Sequence, residues 1–176
     1  MANTTSSTAT RLKAALLIAG VVAASAEGLR QRAYRDPVGI LTVCYGSTTD
    51  VTPGKTYSLA ECKARLDADM LSALEAVERC APGLPPMTLA ALGDAAYNIG
   101  PRIICDPKKS TLARQLKNGN VKAACEELPK WDKAKVNGKM VSLPGLTKRR
   151  ALEKAMCLDG LAGLQQSGRA SSGGTK

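Results

Sequence analysis

EGLRQRAYRDPVGILTVCYGSTTD, residues 27–50, holds a helical pattern, a turn and a strand in one short span. Residues 27–35 continue a helical pattern, with Leu29 and Ala33 four apart. Asp36-Pro37-Val38-Gly39 is a turn signal, Pro at its second position and Gly at its fourth. Ile40-Leu41-Thr42-Val43-Cys44-Tyr45 is rich in β-branched and aromatic types and predicts a strand. Gly46 to Gly54 is loop-like, with room for a further short strand. The expected product is a small antiparallel sheet.

Downstream the pattern is helical. Ser58-Leu59-Ala60-Glu61 is a capping box, in which the Ser hydroxyl and the Glu carboxylate each satisfy an orphan backbone N–H. Cys62, Leu66, Met70, Leu74 and Val77 follow at helical spacing and predict one long helix to about Cys80. Pro82, Pro85 and Pro86 end it. Further helices are expected over 88–98, closed by Gly100-Pro101, and over 110–117, 121–128 and 146–158. From Gly160 the chain turns to Gly, Ser and Gln, so 161–176 is expected to be a disordered tail. A small sheet followed by about six helices is an α+β pattern.

Composition narrows the function. The chain has no Phe, so Leu, Ala, Val, Ile and Met must fill the core. A formal charge of +10 favours a polyanionic partner. The basic residues are scattered and no nucleic-acid motif is present, so nucleic acid is not the expected partner. With no His and no CxxC pair, neither a metal site nor a metal cofactor is expected. Six widely spaced cysteines suit three disulfides made in an oxidising compartment. Cys44 lies on the predicted strand and Cys62 opens the helix expected to pack over it. Cys125 and Cys157 lie on the last two helices, and Cys80 and Cys105 flank the helix between. The expected pairs are therefore Cys44–Cys62, Cys80–Cys105 and Cys125–Cys157.

The N-terminus is ambiguous by itself. After Arg11 and Lys13 comes an uncharged run from Ala14 to Ala26, 13 residues long and rich in Ala. A spanning helix needs about 20 apolar residues. Leu16, Leu17, Ile18, Val21 and Val22 together favour insertion by only roughly 2–3 kcal/mol. Ala24-Ser25-Ala26 fits a signal-peptide cleavage site. A cleaved signal, an ordinary buried helix and a weak uncleaved anchor all fit.

Glu27, eight intervening residues, Asp36, five more and Thr42 form the arrangement that carries chemistry. Cleaving a glycosidic bond requires an acid to protonate the leaving oxygen and a carboxylate across the sugar. By itself such spacing is common among solvated acids. Here it sits inside a longer pattern: Glu27, Gly28, Leu29, Arg30, then Tyr34, Asp36 and Gly39, then Thr42, Cys44, Tyr45 and Gly46. This stretch resembles the active-site region of the phage-type lysozymes, a glycoside hydrolase family. The likeness continues through YSLAECKARLDADM, ALGDAAYNIG, STLARQLKNG, Lys130-Trp131 and GLTKRRALEKAMCL, covering about residues 27–158.

The resemblance implies a lysozyme-like fold, with a small antiparallel sheet lobe and a helical lobe joined by the long helix from Ser58. The domain at 27–160 would be the catalytic one. The reaction would be hydrolysis of the β-1,4 bond between N-acetylmuramic acid and N-acetylglucosamine in peptidoglycan, with inversion and without a cofactor. Glu27 would be the general acid, placed in an apolar neighbourhood, and Asp36 and Thr42 would position the attacking water. Tyr34, Lys108, Lys109 and Arg149, with Arg150 beside it, would meet the wall substrate, while Trp131 would serve the core. The family usually has His where this chain has Ser47. Asp69 is the candidate partner of that residue, and Ser47 retains hydrogen-bonding capacity.

Cleavage after Ala26 would leave Glu27 beside a charged amine and off its helix, so retention fits a catalytic Glu27 better. A retained weak anchor before a lysozyme motif resembles the signal-arrest-release endolysins of phages. That likeness implies residues 1–26 as a cytoplasmic n-region and anchor. Residues 12–26 would hold a monomeric enzyme at the inner membrane of the host until release into the periplasm, followed by lysis. Asp36 is present and no Cys precedes Cys44, so the implied control is topological rather than by disulfide exchange.

Overall fold

The computed structural model describes residues 2–36, 39–136 and 138–170; Pro37 and Val38 of the expected turn lie outside the described residues. Helix α1, Ala2–Ala26, leads into a hairpin of β1, Arg30–Arg35, and β2, Leu41–Cys44. Then follow α2, Leu59–Cys80, α3, Pro86–Ile99, and the short helices α4, Arg102–Cys105, α5, Thr111–Lys117, and α6, Val121–Glu127. A 3-10 turn, Leu128–Trp131, passes into a second hairpin of β3, Lys133–Val136, and β4, Lys139–Ser142, before the last helix α7, Pro144–Ala170. The described residues thus form two separate two-stranded antiparallel sheets among helices, an α+β fold.

Residues 30–35 form a strand where the helical pattern was expected to continue. The α1 helix ends as the Glu27 N–H closes onto the Ala23 carbonyl at 2.9 Å. Beyond Gly28 the backbone finds non-local partners. Tyr34 pairs with Thr42 and Arg35 with Leu41, and Arg32 bridges Thr56. Two apolar residues four apart are too little helical signal to resist that pairing.

Where the sequence signal was dense, the elements lie as expected. Ser58 Oγ accepts from the Glu61 N–H at 3.1 Å, and Glu61 Oε2 accepts from the Ser58 N–H at 2.7 Å, completing the capping box. The α2 face carrying Cys62, Leu66, Met70, Leu74 and Val77 is buried. Its neighbour α3 packs against α1, α2 and α7. Gly93 permits a close approach there, since a Cβ at that position would meet Leu74 Cδ2 at 2.4 Å.

The α1 helix is part of this core. Ala15, Ala19 and Ala23, one per turn, are fully buried in the same cluster as Met70, Leu74, Leu89 and Leu92. Arg11 Nη2 donates to Glu78 Oε1 of α2 at 2.5 Å. The opposite face is open, with Leu17 74% and Val21 71% exposed. Ser7–Ala26 is also long and apolar enough to cross a membrane by length and composition.

Two further expectations change. The β3–β4 hairpin was not anticipated, because Lys133, Lys135 and Lys139 obscure any apolar alternation along its exposed strands. The α7 helix continues through Ala170, well into the stretch expected to be a disordered tail. Leu161 packs against the core, and no helix-stopping Pro follows. Residues 171–176 of that tail lie outside the described residues.

The structure joins Cys44 to Cys62, Cys80 to Cys105 and Cys125 to Cys157, the three pairs expected. The last fastens α6 to α7 across 32 residues of sequence. Replacing Cys125 and Cys157 together by Ala should therefore lower unfolding stability by about 2–4 kcal/mol. Denaturant titration of oxidised protein measures this, and an unchanged midpoint would show that the bridge constrains nothing.

Candidate active site

A cleft of about 530 Å³ opens between the first hairpin and the helices. Glu27, Tyr34, Asp36 and Thr42 line it together. Each comes from a different part of the local fold: Glu27 from the end of α1, Tyr34 from β1, Asp36 from the turn and Thr42 from β2. Asp69, Ser72, Ala73, Ala76 and Arg79 of α2 form another wall, and the α3 end from Ala96 to Pro101 closes it.

The hairpin geometry orients two of these groups. Asp36 Oδ1 accepts from the Ile40 N–H at 2.8 Å, which fixes the carboxylate at the turn. Thr42, buried and paired with Tyr34, donates its hydroxyl to the Ile40 carbonyl at 3.0 Å. With that proton committed, its oxygen lone pairs are what it can offer a water. The Arg30 guanidinium lies 4.4 Å over the Tyr34 ring, a cation–π contact on the rim.

The surroundings of Glu27 are ionic rather than apolar. Its Oε1 accepts from Arg149 Nη1 at 2.6 Å and from Asn98 Nδ2 at 3.4 Å. Arg149 is held from behind by Asp94, whose two oxygens accept from Nε and Nη2 at 2.8 Å each. Burial disfavours the Arg149 charge, but Asp94 and then Glu27 outweigh it and raise its pKa. Arg150, also buried, donates to Glu153 at 2.6 Å and to Asn98 Oδ1 at 3.0 Å. Tyr97 donates to the Tyr45 carbonyl at 2.5 Å, and burial, then Glu27 and Asp69, push its phenol pKa upward. A second cavity of about 590 Å³ lies on the other side of Glu27, lined by Ser25, Leu146, Lys148 and Arg149 among others.

The structure corrects four substrate-facing assignments. Arg149 and Arg150 are buried in ion pairs and present no free charge to a wall polymer. Their α7 positions face Asp94 and Asn98 of α3 across the core. Lys108 and Lys109 sit exposed on the turn between α4 and α5, where Asp106 organises the backbone, and they do not line the cleft. Ser47 is buried and exchanges backbone hydrogen bonds with Val43, but its Oγ has no partner among the described residues. Its side chain thus does not reach Asp69. Trp131 packs against the main core, as expected.

Asp94 and Asn98 were missed. A lone acid within the apolar TLAALGDAAYN was the available signal, since a buried carboxylate requires a cationic partner.

The phage lysozyme family profile matches residues 24–153. A SAR-endolysin of bacteriophage PS119 is 40% identical over 136 residues, spanning 76% of this chain and 77% of that protein. Among solved structures, the muramidase domain of SpmX from Asticaccaulis excentricus is similar with a TM-score of 0.72 and 30% identity, over 80% of this chain and 95% of that one. The active form of P1 phage endolysin Lyz is similar with a TM-score of 0.69 and 27% identity, over 81% and 84%.

Proposed function

The chain belongs to the phage lysozyme family, and from that premise we propose that Glu27, Asp36 and Thr42 carry its chemistry. The protein is a lysozyme, an endolysin that hydrolyses the glycan of peptidoglycan and so lyses the host cell. The observation behind the site assignment is that one cleft collects an acid, a carboxylate and a hydroxyl from three separate segments. Glu27 protonates the glycosidic oxygen as the β-1,4 bond after N-acetylmuramic acid breaks. A water held by Asp36 and Thr42 attacks the anomeric carbon from the opposite face and passes its proton to Asp36, inverting the centre. Tyr34 contributes to the sugar-binding wall. No cofactor takes part, and the enzyme acts as a monomer with 27–160 as its catalytic domain.

Turbidity clearing of outer-membrane-permeabilised cells, with mass spectrometry of the digest, tests this. Products ending in free reducing N-acetylmuramic acid are expected. Anhydro ends would instead mark a lytic transglycosylase, and absence of clearing would mark a wall-binding protein.

The membrane stage rests on α1. The helix that passes by length and composition for a span also seats Ala15, Ala19 and Ala23 in the folded core. Glu27 follows Ala26 directly, so a lipid-embedded α1 holds the acid away from Asp36 at the inner-membrane face. Release into the periplasm then assembles the cleft, in keeping with the SAR-endolysin relatives. Gly20 and Ala24 lie off the buried stripe, and a Cβ at Gly20 meets nothing within 4 Å. Replacing both by Leu should add roughly 1 kcal/mol of insertion energy and delay release without disturbing the fold. Fractionation before and after an uncoupler reads this. One uncleaved species should move from membrane to soluble fraction, later in the variant. A shorter species beginning at Glu27 would establish a cleaved signal peptide instead.

A further inference from the structure

The cleft carries its charge unevenly. Glu27, Asp36 and Asp69 line it, and Arg79 alone is basic among its described lining residues. Arg79 stands exposed in the last turn of α2 and makes no ion pair among the described residues. Its neighbour Glu78 turns the other way, to Arg11 of α1. The two arginines of α7 are already committed to buried carboxylates. Position along α2 matters as well. Asp69, Ser72, Ala73, Ala76 and Arg79 recur at helical spacing, so one face of the helix forms that wall. Asp69 lies at the end near the acid, since it and Glu27 both act on the Tyr97 phenol. Arg79 is about 15 Å further along the helix axis. Between them Ser72, Ala73 and Ala76 are small and leave the wall open to a polymer.

We propose that Arg79 is a specificity residue that takes a free carboxylate of the peptides branching from N-acetylmuramic acid. Once its lactyl group is amide-linked to peptide, the glycan itself offers a guanidinium no anion, whereas the peptides do. Three acids toward one end of the cleft repel such a carboxylate and one unpaired guanidinium at the other attracts it. That pattern selects the register in which a branched strand lies, by repulsion as much as by attraction. The planar guanidinium can hold a carboxylate by two parallel N–H donors, which adds direction to the charge. Its distance along α2 puts this contact beyond the sugar being cleaved, so it governs how the wall is held and not how the bond breaks. The inference rests on the cleft being the glycan site, and it adds the part of the polymer that bare glycan lacks.

Full-length enzyme on purified peptidoglycan tests this against the same wall with its carboxylates capped as neutral amides. On native wall Arg79→Gln should raise the apparent KM about fivefold, the upper worth of an exposed ion pair. The loss should fall on KM rather than on kcat. On capped wall the wild type should already show the raised KM, and Arg79→Gln should add nothing to it. Arg79→Lys keeps the charge without the fork and should fall between. Lys117→Gln removes an equal charge from the exposed end of α5 and should leave KM as it is, which controls for the general attraction of a basic protein to an acidic wall. Cosedimentation of Glu27→Gln with the two walls, with and without Arg79→Gln, makes the same comparison without turnover. An equal loss on native and capped wall, a loss in kcat alone, no loss, or an equal loss in Lys117→Gln overturns the proposal. If Glu27→Gln retains full activity, the placement of the glycan in this cleft is what fails instead.

Discussion

Glu27→Gln should lyse permeabilised cells at least about a hundredfold more slowly than wild type, while melting at nearly the same temperature. The amide keeps an oxygen that can accept from Arg149 Nη1, so the contact that orients residue 27 survives. What disappears is the transferable proton, and a positioned acid contributes typically about 10²–10⁴-fold. The buried Arg149 keeps Asp94 as its ionic partner, so the substitution leaves no buried charge unpaired. Asp36→Asn should lose comparable or somewhat less activity. Near wild-type clearing by Glu27→Gln would remove this residue from the mechanism.

Arg149→Met is expected to have the largest effect on stability. The guanidinium satisfies both oxygens of a fully buried Asp94 and one of Glu27. Methionine fills similar space but leaves Asp94 without its cation. Breaking a buried pair from one side costs about 3–5 kcal/mol, roughly 6–20 °C in a chain of this size. The exposed pair Lys130–Glu127 is the control, since its loss should cost under about 1 kcal/mol. Calorimetry on the two variants separates them. A fall of only a degree or two for Arg149→Met would mean that Asp94 finds water or another partner. Arg149→Lys should fall between, because an ammonium keeps the charge but cannot fork across Asp94.

Much of the fold and site was legible because the governing interactions are local. The capping box at Ser58 and Glu61 and the apolar row from Cys62 to Val77 specify α2 within a few turns. Asp36, Gly39 and Thr42 belong to one hairpin, and Glu27 lies just before it, so their meeting in a cleft follows from a short piece of chain. The β1 strand was illegible because its partners, Thr42 and Thr56, lie outside the window in which Leu29 and Ala33 suggest a helix. The second hairpin did carry a signal: Asn137-Gly138 is a favoured hairpin dipeptide, and Gly138 has φ of +82°. The position of Arg149 was unreadable for another reason. A basic residue near a helix start normally faces solvent, and only the α3–α7 packing, which brings Asp94 from 55 residues away, makes it structural.

All six cysteines lie beyond Thr42, and none of the three bridges fastens α1. The first helix lies outside every loop that these bridges close and is held by reversible contacts: its buried alanines and Val22, with Leu12, Leu16 and Ile18 packed beside them, and an ion pair to Glu78. No disulfide therefore has to form or break for α1 to join the core or leave it, and the covalent staples belong entirely to the chain beyond Thr42. Where α1 is docked, its end delivers Glu27 to the cleft, so the acid's place depends on packing and not on a cross-link.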